Sequence, residues 1–337
     1  MQGETMTIKL VKSIYLRIPI VLRLLLTVFI IMFFFGTVIH FVEPNQFPTI
    51  FDGIWWAFVT GATVGYGDFV PLSMSGKIIG ILLILTGGGF LAFYVTSLSS
   101  ATIKHEDDLA RGRIAFKRGR HLIIIGWNER TKQLINMIIK KDPLAKIVLI
   151  DRTLQHISFQ RYPVHFVQGD ATEDGILKQA NIEQAERVLI TADISKKERQ
   201  ADNYTILTTV AIRGNNKDIP IVAEVLSKVQ IENALRAGAT TIIRSNDFMS
   251  ALFFHELTHY KTATPFEDIL QILSKQQFAH TILPGEQENN NFLRVSTLFS
   301  KKQHLVLGLI RGEEYHLNPP GEFILKKGDI ILSLTPW

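Results

Sequence analysis

The sequence contains no cysteine. This absence excludes disulfide bonds and thiolate metal sites, and it is typical of proteins that face the reducing cytoplasm. No apolar segment carries arginine at every third position, which excludes a voltage-sensing helix. The formal net charge is only +5 over 337 residues, and the basic residues cluster beside apolar segments. Because nucleic-acid binding requires a basic stripe, we expect no nucleic-acid partner.

Two long apolar segments are the first positive feature of the sequence. The first covers 24–41 and, together with 20–22, reaches the roughly 20 residues that a membrane-spanning helix needs. The second covers 78–98. No small-residue cleavage site follows the first segment, so a signal peptide is not expected. We predict membrane spans at about 20–41 and 78–98, with the lipid bilayer as a partner.

Basic residues flank the two predicted spans on one side of the membrane. Before the apolar run 24–41 lie Lys9, Lys12, Arg17 and Arg23. After the second span lie Lys104, Arg111, Arg113, Lys117, Arg118 and Arg120. Between the spans only Lys77 is basic. Because Lys and Arg are enriched in cytoplasmic loops, we expect a multi-pass protein of the cell membrane with both termini in the cytoplasm.

The segment between the spans contains the hexapeptide Thr63-Val64-Gly65-Tyr66-Gly67-Asp68. Gly65 and Gly67 can adopt backbone angles that other residues avoid, so successive carbonyl groups can turn toward one axis. The side chains of Val64 and Tyr66 then point away from that axis. Four copies of such a loop can line a narrow pore with oxygens that replace the water around K⁺. The alternative is a glycine-rich hairpin that has this sequence by chance.

The hexapeptide resembles the selectivity filter of potassium channels, and residues 54–60 resemble the pore helix before such filters. The resemblance implies that the Trp55 indole N–H holds the Asp68 carboxylate behind the filter. It also implies that Trp56 packs on Tyr66. We therefore predict a pore helix at 52–62 and a filter at 63–68.

The predicted filter also has consequences for assembly. An irregular loop exposed to lipid leaves backbone N–H and C=O groups without partners, so the filter must be buried in an oligomer. We expect a homotetramer in which each chain contributes one filter loop, with K⁺ as the permeant ion.

Three consecutive glycines, Gly87-Gly88-Gly89, lie within the second apolar segment. Each weakens a helix by about 1 kcal/mol relative to alanine, and in a membrane each also permits close helix packing. Packing against the pore helix is an alternative role for Gly88 and Gly89. Gly87 lies 20 residues after Gly67 (87 − 67), the spacing at which similar ligand-gated channels have their gating glycine. The resemblance therefore implies a gating hinge at Gly87.

From His121 onward, short apolar runs alternate with helical stretches. The runs predicted as strands are 122–125, 146–150, 164–167, 187–190, 219–223 and 241–243. Such alternation predicts a parallel, doubly wound sheet, in which ligands bind beyond the carboxyl ends of the strands. The polar and charged residues before it are predicted to form a partly helical connector.

The nucleotide-binding pattern G-x-G-x-x-G is incomplete after the first predicted strand. Gly126 takes the first position, but Asn128 and Thr131 replace the other two glycines. Asp151 lies 25 residues after Gly126 (151 − 126), where an acid binds ribose hydroxyls. Asp170 ends the third predicted strand. These residues are candidates for an adenine nucleotide or NAD(H); a helix cap at Asp151 and a turn at Asp170 are the alternatives.

The soluble region resembles the RCK (TrkA-type) regulatory domain of potassium channels and transporters. The similar segments are 126–129, 169–172, 180–191, 317–320 and 327–331. With the pore, the resemblance covers nearly the whole chain and corresponds to two-transmembrane bacterial potassium channels. RCK domains assemble into a ring, so the resemblance implies a homotetramer held together by both pore and RCK domains.

The two resemblances imply a fold class and a domain organisation. We expect an α-helical membrane pore, with two spans and a re-entrant pore helix, fused to a cytoplasmic α/β Rossmann-like domain with a small α+β C-terminal lobe. The pore domain is placed at 1–104, the linker at 105–119, the Rossmann-like RCK domain at 120–262 and the C-terminal lobe at 263–337.

Calcium-gated members of this family carry acids around a fifth-strand motif similar to Ala-Glu-x-Glu. The corresponding residues here are Ala223-Glu224-Val225-Leu226, so Leu226 replaces the second acid. Ca²⁺ needs several oxygen ligands, including carboxylates. Glu224 and Asp193 remain candidate metal ligands, but the resemblance does not carry calcium gating over to this chain.

We interpret the sequence as a potassium-selective channel, not an enzyme, gated by a ligand that binds the RCK domains. One alternative is a subunit of a K⁺ transporter; these carry several degenerate filter loops in one chain, whereas this chain has a single full one. A second is a membrane-anchored NAD-dependent oxidoreductase, for which the glycine pattern is broken. The segment His255-Glu256-Leu257-Thr258-His259 also matches the zinc protease pattern H-E-x-x-H, but no third ligand is evident.

Overall fold

The computed structural model describes residues 19–258 and 265–337. Lys9, Lys12 and Arg17, used above for membrane orientation, lie outside the described residues, as does His259 of the H-E-x-x-H match.

The chain divides into two compact units. One unit runs to Glu224 and includes Glu232–Ile242; the other comprises Val225–Ile231 and Ile243–Trp337. The predicted domain boundaries after 104, 119 and 262 stay predictions.

The N-terminal helices have the lengths that a membrane pore requires. They are α1 (Ile20–Val42), α2 (Ile50–Gly61), α3 (Met74–Leu83) and α4 (Gly89–Ala110). A five-residue π-helical turn, Ile84–Gly88, joins α3 to α4, so that 74–110 is one continuous helix of 37 residues. Within the described part of the chain, α1 and this long helix are both apolar and long enough to cross a membrane.

These helices bury a small core and expose the rest of their apolar surface. The buried cluster consists of Val28, Met32, Ile39, Phe47, Trp56, Ala57 and Leu83. Outside it, large side chains such as Ile30 and Phe34 are more than 60% exposed within the single chain. An apolar surface of this extent requires lipid or further subunits to cover it.

Local sequence determines where the short helices begin. The Thr49 hydroxyl accepts a hydrogen bond from the Asp52 N–H, and the Asp52 carboxylate accepts one from the Thr49 N–H. This reciprocal capping box starts α2. Ser73 starts α3 by accepting from the Gly76 N–H. Helix α2 ends at Gly61, and Ala62 separates it from the hexapeptide.

The next part of the chain is a six-stranded sheet with strand order β3-β2-β1-β4-β5-β6. The strands are β1 (Leu122–Ile125), β2 (Ile147–Asp151), β3 (His165–Gln168), β4 (Arg187–Ile190), β5 (Ile221–Glu224) and β6 (Thr241–Ile243). The helices between them are α5 (Glu129–Lys141), α6 (Asp174–Gln179), α7 (Glu198–Asn215) and α8 (Ile231–Arg236). This strand order is that of the Rossmann fold, so the predicted doubly wound sheet is confirmed.

The central strands β1 and β2 are apolar from Leu122 to Ile125 and from Ile147 to Ile150, because both faces of the sheet are covered. On β1 and β2, Ile123 and Val148 pack into one buried cluster with Ile212 of α7. Their neighbours Ile124 and Leu149 pack into a second cluster with Ile135 of α5. Residues adjacent in the sequence thus point to opposite layers of the domain.

The second unit contains a four-stranded antiparallel sheet with order β7-β10-β8-β9. Its elements are α9 (Ser245–Thr258), α10 (Pro265–Lys275), β7 (Gln276–Ile282), α11 (Phe292–Ser300), β8 (Leu305–Arg311), β9 (Glu314–Leu317) and β10 (Ile330–Pro336). A core that includes Val295, Leu309 and Ile331 joins α11 to this sheet. The predicted α+β C-terminal lobe is therefore observed as a fold.

The connector between pore and sheet is hydrogen-bonded to residues of the sheet and of α6. Helix α4 continues to Ala110, so the first part of the predicted linker is helical. Beyond it, the Gly112 carbonyl accepts from the Gln168 N–H at 3.1 Å, and the Phe116 N–H donates to the Gln179 carbonyl at 2.8 Å. These contacts fix the end of α4 to the edge of the sheet at β3.

Two histidines hold the ring of Phe116 in this connector. The His121 and His165 rings lie 4.6 Å and 5.2 Å from the Phe116 ring, centroid to centroid. His121 Nε2 donates to the Ala180 carbonyl, and His165 Nε2 donates to the Ile114 carbonyl. Burial lowers the pKa of both imidazoles below their ordinary value of 6.5.

Acid is therefore expected to destabilise the unit that contains these histidines. Because their folded-state pKa is depressed, the unfolded chain binds protons that the folded chain does not. Their stabilising contribution is complete above about pH 6.5 and is lost as the pH falls below that value. Thermal unfolding of the full chain, followed by circular dichroism from about pH 8 to about pH 5.5, should show a falling midpoint. The double variant His121→Gln/His165→Gln should flatten this dependence, whereas His105→Gln, at an exposed position of α4, should retain it.

Candidate functional site

The hexapeptide after α2 alternates between two backbone conformations. Thr63, Gly65 and Gly67 have φ angles of 57°, 61° and 77°, in the left-handed region. Val64 and Tyr66 lie between them, so the backbone reverses its hand at each step. This alternation can turn successive carbonyls to one side of the loop, the arrangement that coordinates a dehydrated cation. Within the single chain, the side chains of Val64 and Tyr66 are exposed.

Helix α2 holds the start of this loop through its own C-terminal carbonyls. The N–H groups of Val64 and Gly65 both donate to the Val59 carbonyl, at 2.9 Å and 3.3 Å. The loop therefore continues directly from the negative end of the helix dipole, which favours a cation at that point.

The end of the loop is held from behind by an aromatic side chain. The Trp55 indole N–H donates to the Asp68 carboxylate at 2.7 Å. The Trp55 ring also stacks on Tyr66, with centroids 6.0 Å apart and planes 7° apart. The predicted packing of Trp56 on Tyr66 is not what a single chain shows: Trp56 is buried against Phe47. Adjacent helical residues differ by about 100° in direction, so Trp55 and Trp56 cannot both point to the loop.

Sequence analysis did not identify Glu43, the residue that follows α1. Its carboxylate accepts hydrogen bonds from the N–H groups of Leu72 and Ser73, both at 3.0 Å, and from the Ser73 hydroxyl. Glu43 is buried and thus ties the end of α1 to the start of α3. The sequence signal for this role was a single acidic residue at the end of an apolar run.

Gly87 lies inside the π-helical turn between α3 and α4. It is buried, and a Cβ atom there would lie 3.0 Å from Leu83 Cδ1 and 3.1 Å from Met32 Cε. At Gly88 and Gly89 an added Cβ would meet only the Gly61 carbonyl, at 3.8 Å, or no atom within 4 Å. Close packing against α1 is thus observed at Gly87, and the predicted hinge there stays a prediction.

A cavity of about 300 Å³ lies at the carboxyl ends of β1, β2 and β4. Three of the four predicted nucleotide-binding residues line it: Gly126, Asn128 and Asp151. Asp170 does not line the cavity, but it contacts a residue that does. The position of the cavity is the one where open α/β sheets bind ligands, and its volume is at the lower end for a small-molecule site.

The N-terminus of α5 is partly closed by its own side chains. Asn128 accepts from the Thr131 N–H at 3.1 Å, and the Thr131 hydroxyl accepts from the Asn128 N–H at 2.9 Å. Among the described residues, the N–H groups of Glu129 and Arg130 have no hydrogen-bond partner and remain available to an anion. Asn128, which replaces a glycine of the pattern, therefore takes up part of the space where a phosphate would bind. The two N–H groups of Glu129 and Arg130 stay open to it.

Asp151 stabilises two turns beside the cavity. Its Oδ1 accepts from the Thr153 N–H, the Thr153 hydroxyl and the Leu154 N–H, and its Oδ2 accepts from the Trp127 N–H at 2.7 Å. A carboxylate oxygen accepts two bonds with ease, so Oδ2 can still accept one from a ligand hydroxyl. Asp151 thus has the structural role that was the alternative to ligand binding. Its Oδ2 can still accept a hydrogen bond from a ribose hydroxyl.

Arg152 links two further acids at the rim of the cavity. Its guanidinium lies 3.3 Å from Asp193 and 3.9 Å from Asp170, and it stacks on the Tyr204 ring at 4.7 Å. Burial, reinforced by the nearby charge of Asp170, raises the pKa of Tyr204 to about 12. Burial alone would raise the pKa of Asp170, but hydrogen bonds from Thr172 and Tyr204 outweigh it and lower the pKa below its ordinary value.

The two candidate metal ligands have arginine partners in this structure. Glu224 is buried and pairs with Arg130 at 2.9 Å, while its Oε2 also accepts from the Ala192 N–H at 2.7 Å. Asp193 pairs with Arg152. Across the residues that the structure describes, no three His, Asp or Glu side chains come together as a metal site. The Arg130 guanidinium therefore already provides a positive charge at Oε2 of Glu224.

Two families of known domains match consecutive parts of the chain. Residues 27–104 match the family described as "Ion channel", and residues 122–245 match the family described as "TrkA-N domain". The first range contains α1 from residue 27 onward, α2 and the hexapeptide. The second contains the six-stranded sheet and the cavity.

Relatives of similar length are potassium channels by name. The chain is 34% identical over 323 residues to "Putative potassium channel protein YugO" of Bacillus subtilis strain 168, covering 95% of this chain and 97% of the relative. It is 30% identical over 239 residues to "Calcium-gated potassium channel TvoK" of Thermoplasma volcanium, covering 68% of each chain.

A solved structure, "GsuK Channel", matches the fold with a TM-score of 0.51 and 15% identity. The match covers 94% of this chain and 57% of that chain. At this identity the similarity shows the fold alone.

Replacing Gly67 by alanine should impair ion selectivity through the backbone. No atom lies within 4 Å of a Cβ at Gly67, so the expected effect comes from its φ of 77°, which costs a non-glycine residue roughly 1–2 kcal/mol. The matched control is Gly89→Ala, where a Cβ also meets no atom within 4 Å but φ is −61°. The reversal potential, measured with K⁺ and Na⁺ on opposite sides, should show a loss of K⁺ selectivity in Gly67→Ala. In Gly89→Ala it should show the K⁺ selectivity of the parent protein. Full selectivity in both variants would contradict the role of this loop.

Proposed function

We infer the function from a premise that the comparisons provide: the chain belongs to the family of potassium channels that join an ion channel domain to a TrkA-N domain. It is a potassium channel of the two-transmembrane type, gated by a ligand that acts on its RCK domain. The observation that carries this function is the loop of alternating backbone hand at Thr63, Gly65 and Gly67, directly after α2.

We propose that the channel is a homotetramer. The exposed Val64 and Tyr66 side chains require neighbouring subunits, because a filter loop cannot face lipid. In the second unit, α9 exposes large apolar side chains at Phe253, Phe254 and Leu257. Those exposures support contacts between RCK domains. Both termini are proposed to be cytoplasmic, on the basis of the basic residues that flank the spans.

The enzyme alternatives have less support. The relatives of similar length are named as channels, although the Rossmann-like fold also serves oxidoreductases. In the H-E-x-x-H segment, Glu256 accepts a hydrogen bond from the Phe266 N–H at 2.9 Å. That carboxylate is therefore engaged with α10, whereas a protease needs it to activate water.

The proposed gating ligand is an adenine nucleotide or NAD(H) in the cavity beside β1 and β2. The free N–H groups of Glu129 and Arg130 would hold a phosphate, and Asp151 Oδ2 would accept a bond from a ribose hydroxyl. Calcium gating, stated in the name of the Thermoplasma relative, is not proposed here. Glu224 and Asp193 are each paired with an arginine, and Leu226 supplies no ligand.

Conduction is tested by recording from the purified full chain in a planar bilayer. The expected result is a current whose reversal potential follows the K⁺ gradient when Na⁺ replaces K⁺ on one side. Equal permeability to the two ions, or no current under any cytoplasmic ligand tested, would count against the channel function.

Ligand binding is tested by calorimetry on the full chain with ADP, ATP, NAD⁺ and NADH. Asp151→Asn should weaken the binding of whichever nucleotide binds by about 1–3 kcal/mol, roughly 5- to 150-fold, since an amide NH₂ group takes the place of the Oδ2 acceptor for the ribose hydroxyl. The control is Asp142→Asn, because Asp142 likewise accepts a turn hydrogen bond, from the Leu144 N–H at 3.0 Å, but lies outside the cavity.

Both variants replace a carboxylate in a turn by an amide, so comparing them separates the loss of the ligand contact from the effect of that exchange on a turn. The nucleotide proposal fails if no nucleotide binds the parent protein, or if Asp151→Asn and Asp142→Asn bind it equally well. A failure of the nucleotide proposal would not count against the potassium current, because the current is measured in a separate experiment.

A further inference from the structure

Helix α2 crosses helix α1 at a pair of glycines. A Cβ atom added at Gly53 would overlap the carbonyl of Gly36, and one added at Gly36 would overlap the backbone of Ile54. The two backbones are therefore in direct contact, as small residues permit between helices in a membrane. This crossing fixes one point of α2 against α1.

The second contact between the two helices is made by a side chain. Met32 lies one turn before Gly36 on α1 and is only 1% exposed within the single chain. A Cβ atom added at Gly61, the last residue of α2, would overlap the terminal Cε of Met32 and lie 3.0 Å from its Sδ. The Met32 side chain is therefore packed directly against the backbone at the end of α2.

The two contacts together determine the direction of α2. Gly61 lies eight residues after Gly53 (61 − 53), which is roughly 12 Å along a helix. Because the crossing at Gly53 leaves no room for α2 to move closer to α1, the helix can still tilt about that point. The length of the Met32 side chain then sets the distance between α1 and the last turn of α2.

The inner helix closes the other side of Met32. Gly87 is buried, and a Cβ atom there would lie 3.1 Å from Met32 Cε and 3.0 Å from Leu83 Cδ1. Leu83 is itself completely buried. The Met32 methyl group thus lies between two glycines, one on α2 and one on the inner helix. In a core of this packing density, an atom added beside it has to shift a helix.

The last turn of α2 carries the filter loop. The Val59 carbonyl accepts the hydrogen bonds of the Val64 and Gly65 N–H groups. A shift of Val59 therefore moves the first residues of the loop with it. Because a binding site of this kind has to be held to within about 0.5 Å, a small tilt of α2 is enough to change how the loop binds an ion.

We propose that Met32 is a positioning residue for ion selectivity, because its side chain holds the last turn of α2 where the filter loop binds K⁺. The proposal rests on the proposed channel function. The contacts that carry it lie within one chain and are already buried there, so they do not depend on how subunits assemble. An unbranched, flexible side chain suits this position, since it reaches between two backbones.

The proposal is tested by moving one carbon atom across the contact. Gly61→Ala adds a methyl group where Met32 Cε now lies, and should displace the last turn of α2. Since Gly61 is helical, alanine brings no backbone strain of its own. Met32→Leu shortens the other side chain by one bond and removes Cε at a similar volume. The double variant Gly61→Ala/Met32→Leu should therefore restore the spacing of the parent protein.

The ion affinity of the filter is measured without opening the channel. The purified full chain in detergent is titrated with K⁺ in a Na⁺ buffer by calorimetry, and its oligomeric size is measured by light scattering. We expect K⁺ binding to weaken by about 10-fold in Gly61→Ala and to return to within about twofold of the parent in the double variant. A purely structural role of Met32 would change the stability of the assembly and leave its K⁺ affinity unchanged.

Two controls isolate the contact. Gly67→Ala acts through its own φ of 77°, so adding Met32→Leu should not restore its K⁺ affinity. Gly80→Ala also adds a methyl group at a buried helical glycine of the pore core. Its Cβ would meet the Trp56 ring at 3.7 Å, an ordinary contact, so this variant should bind K⁺ as the parent does.

K⁺ binding that is weakened in Gly61→Ala and restored by Met32→Leu, with no restoration in Gly67→Ala, supports the proposal. Unchanged binding in Gly61→Ala overturns it, and so does weakened binding that persists in the double variant. If Gly61→Ala does not assemble, the double variant decides. Recovery of both assembly and K⁺ binding supports the proposal, and recovery of assembly alone, or of neither, overturns it.

The parent protein separates this proposal from the proposed function. If the parent does not bind K⁺ in the Na⁺ buffer, the channel function fails and the role of Met32 in selectivity fails with it. If the parent binds K⁺ and only the restoration by Met32→Leu is missing, the channel function stands and the role of Met32 is overturned.

Discussion

Inside a membrane, every backbone N–H and C=O group needs a partner, and the loop from Thr63 to Asp68 cannot provide its own. Its carbonyls take no part in secondary structure, which leaves them free to face an ion in the proposed filter. The rest of the pore compensates for this: the Val59 carbonyl holds the first N–H groups of the loop, and Trp55 holds Asp68 at its end. Glu43 fixes the start of the next helix. The exposed outer side chains of the loop make neighbouring subunits necessary.

The soluble part follows a different principle, because water solvates the polar groups that the sheet leaves free. Its acids are nevertheless satisfied internally, Glu224 by Arg130 and Asp193 by Arg152. A ligand that binds beside them must compete with these pairs or add to them, and it shifts gating only through a difference in affinity between two conformations. Because the connector is hydrogen-bonded to the RCK domain at Gly112 and Phe116, a conformational change of that domain can reach the inner helix.

The elements of the fold were largely predictable from periodicity. The strands at Leu122–Ile125, Arg187–Ile190 and Thr241–Ile243 begin and end where the apolar runs predict. Side-chain partners were less predictable. Trp55 and Trp56 are adjacent and chemically identical, so only the direction of α2 decides which of them faces Tyr66. Arg130 lies 94 residues from Glu224, and no local pattern connects them.

The sequence by itself indicated the apolar helices and the alternation of strands and helices, because hydrophobic length and periodicity are local properties of the chain. It also located the cavity, since the carboxyl ends of parallel strands lie at one edge. Only the tertiary structure decided that Asp151 supports two turns, that arginines occupy the neighbourhood of the candidate metal ligands, and that Gly87 lies in a π turn packed on Met32. These features depend on contacts between distant segments, and the energy differences that select them come from packing and burial, which a linear pattern does not contain.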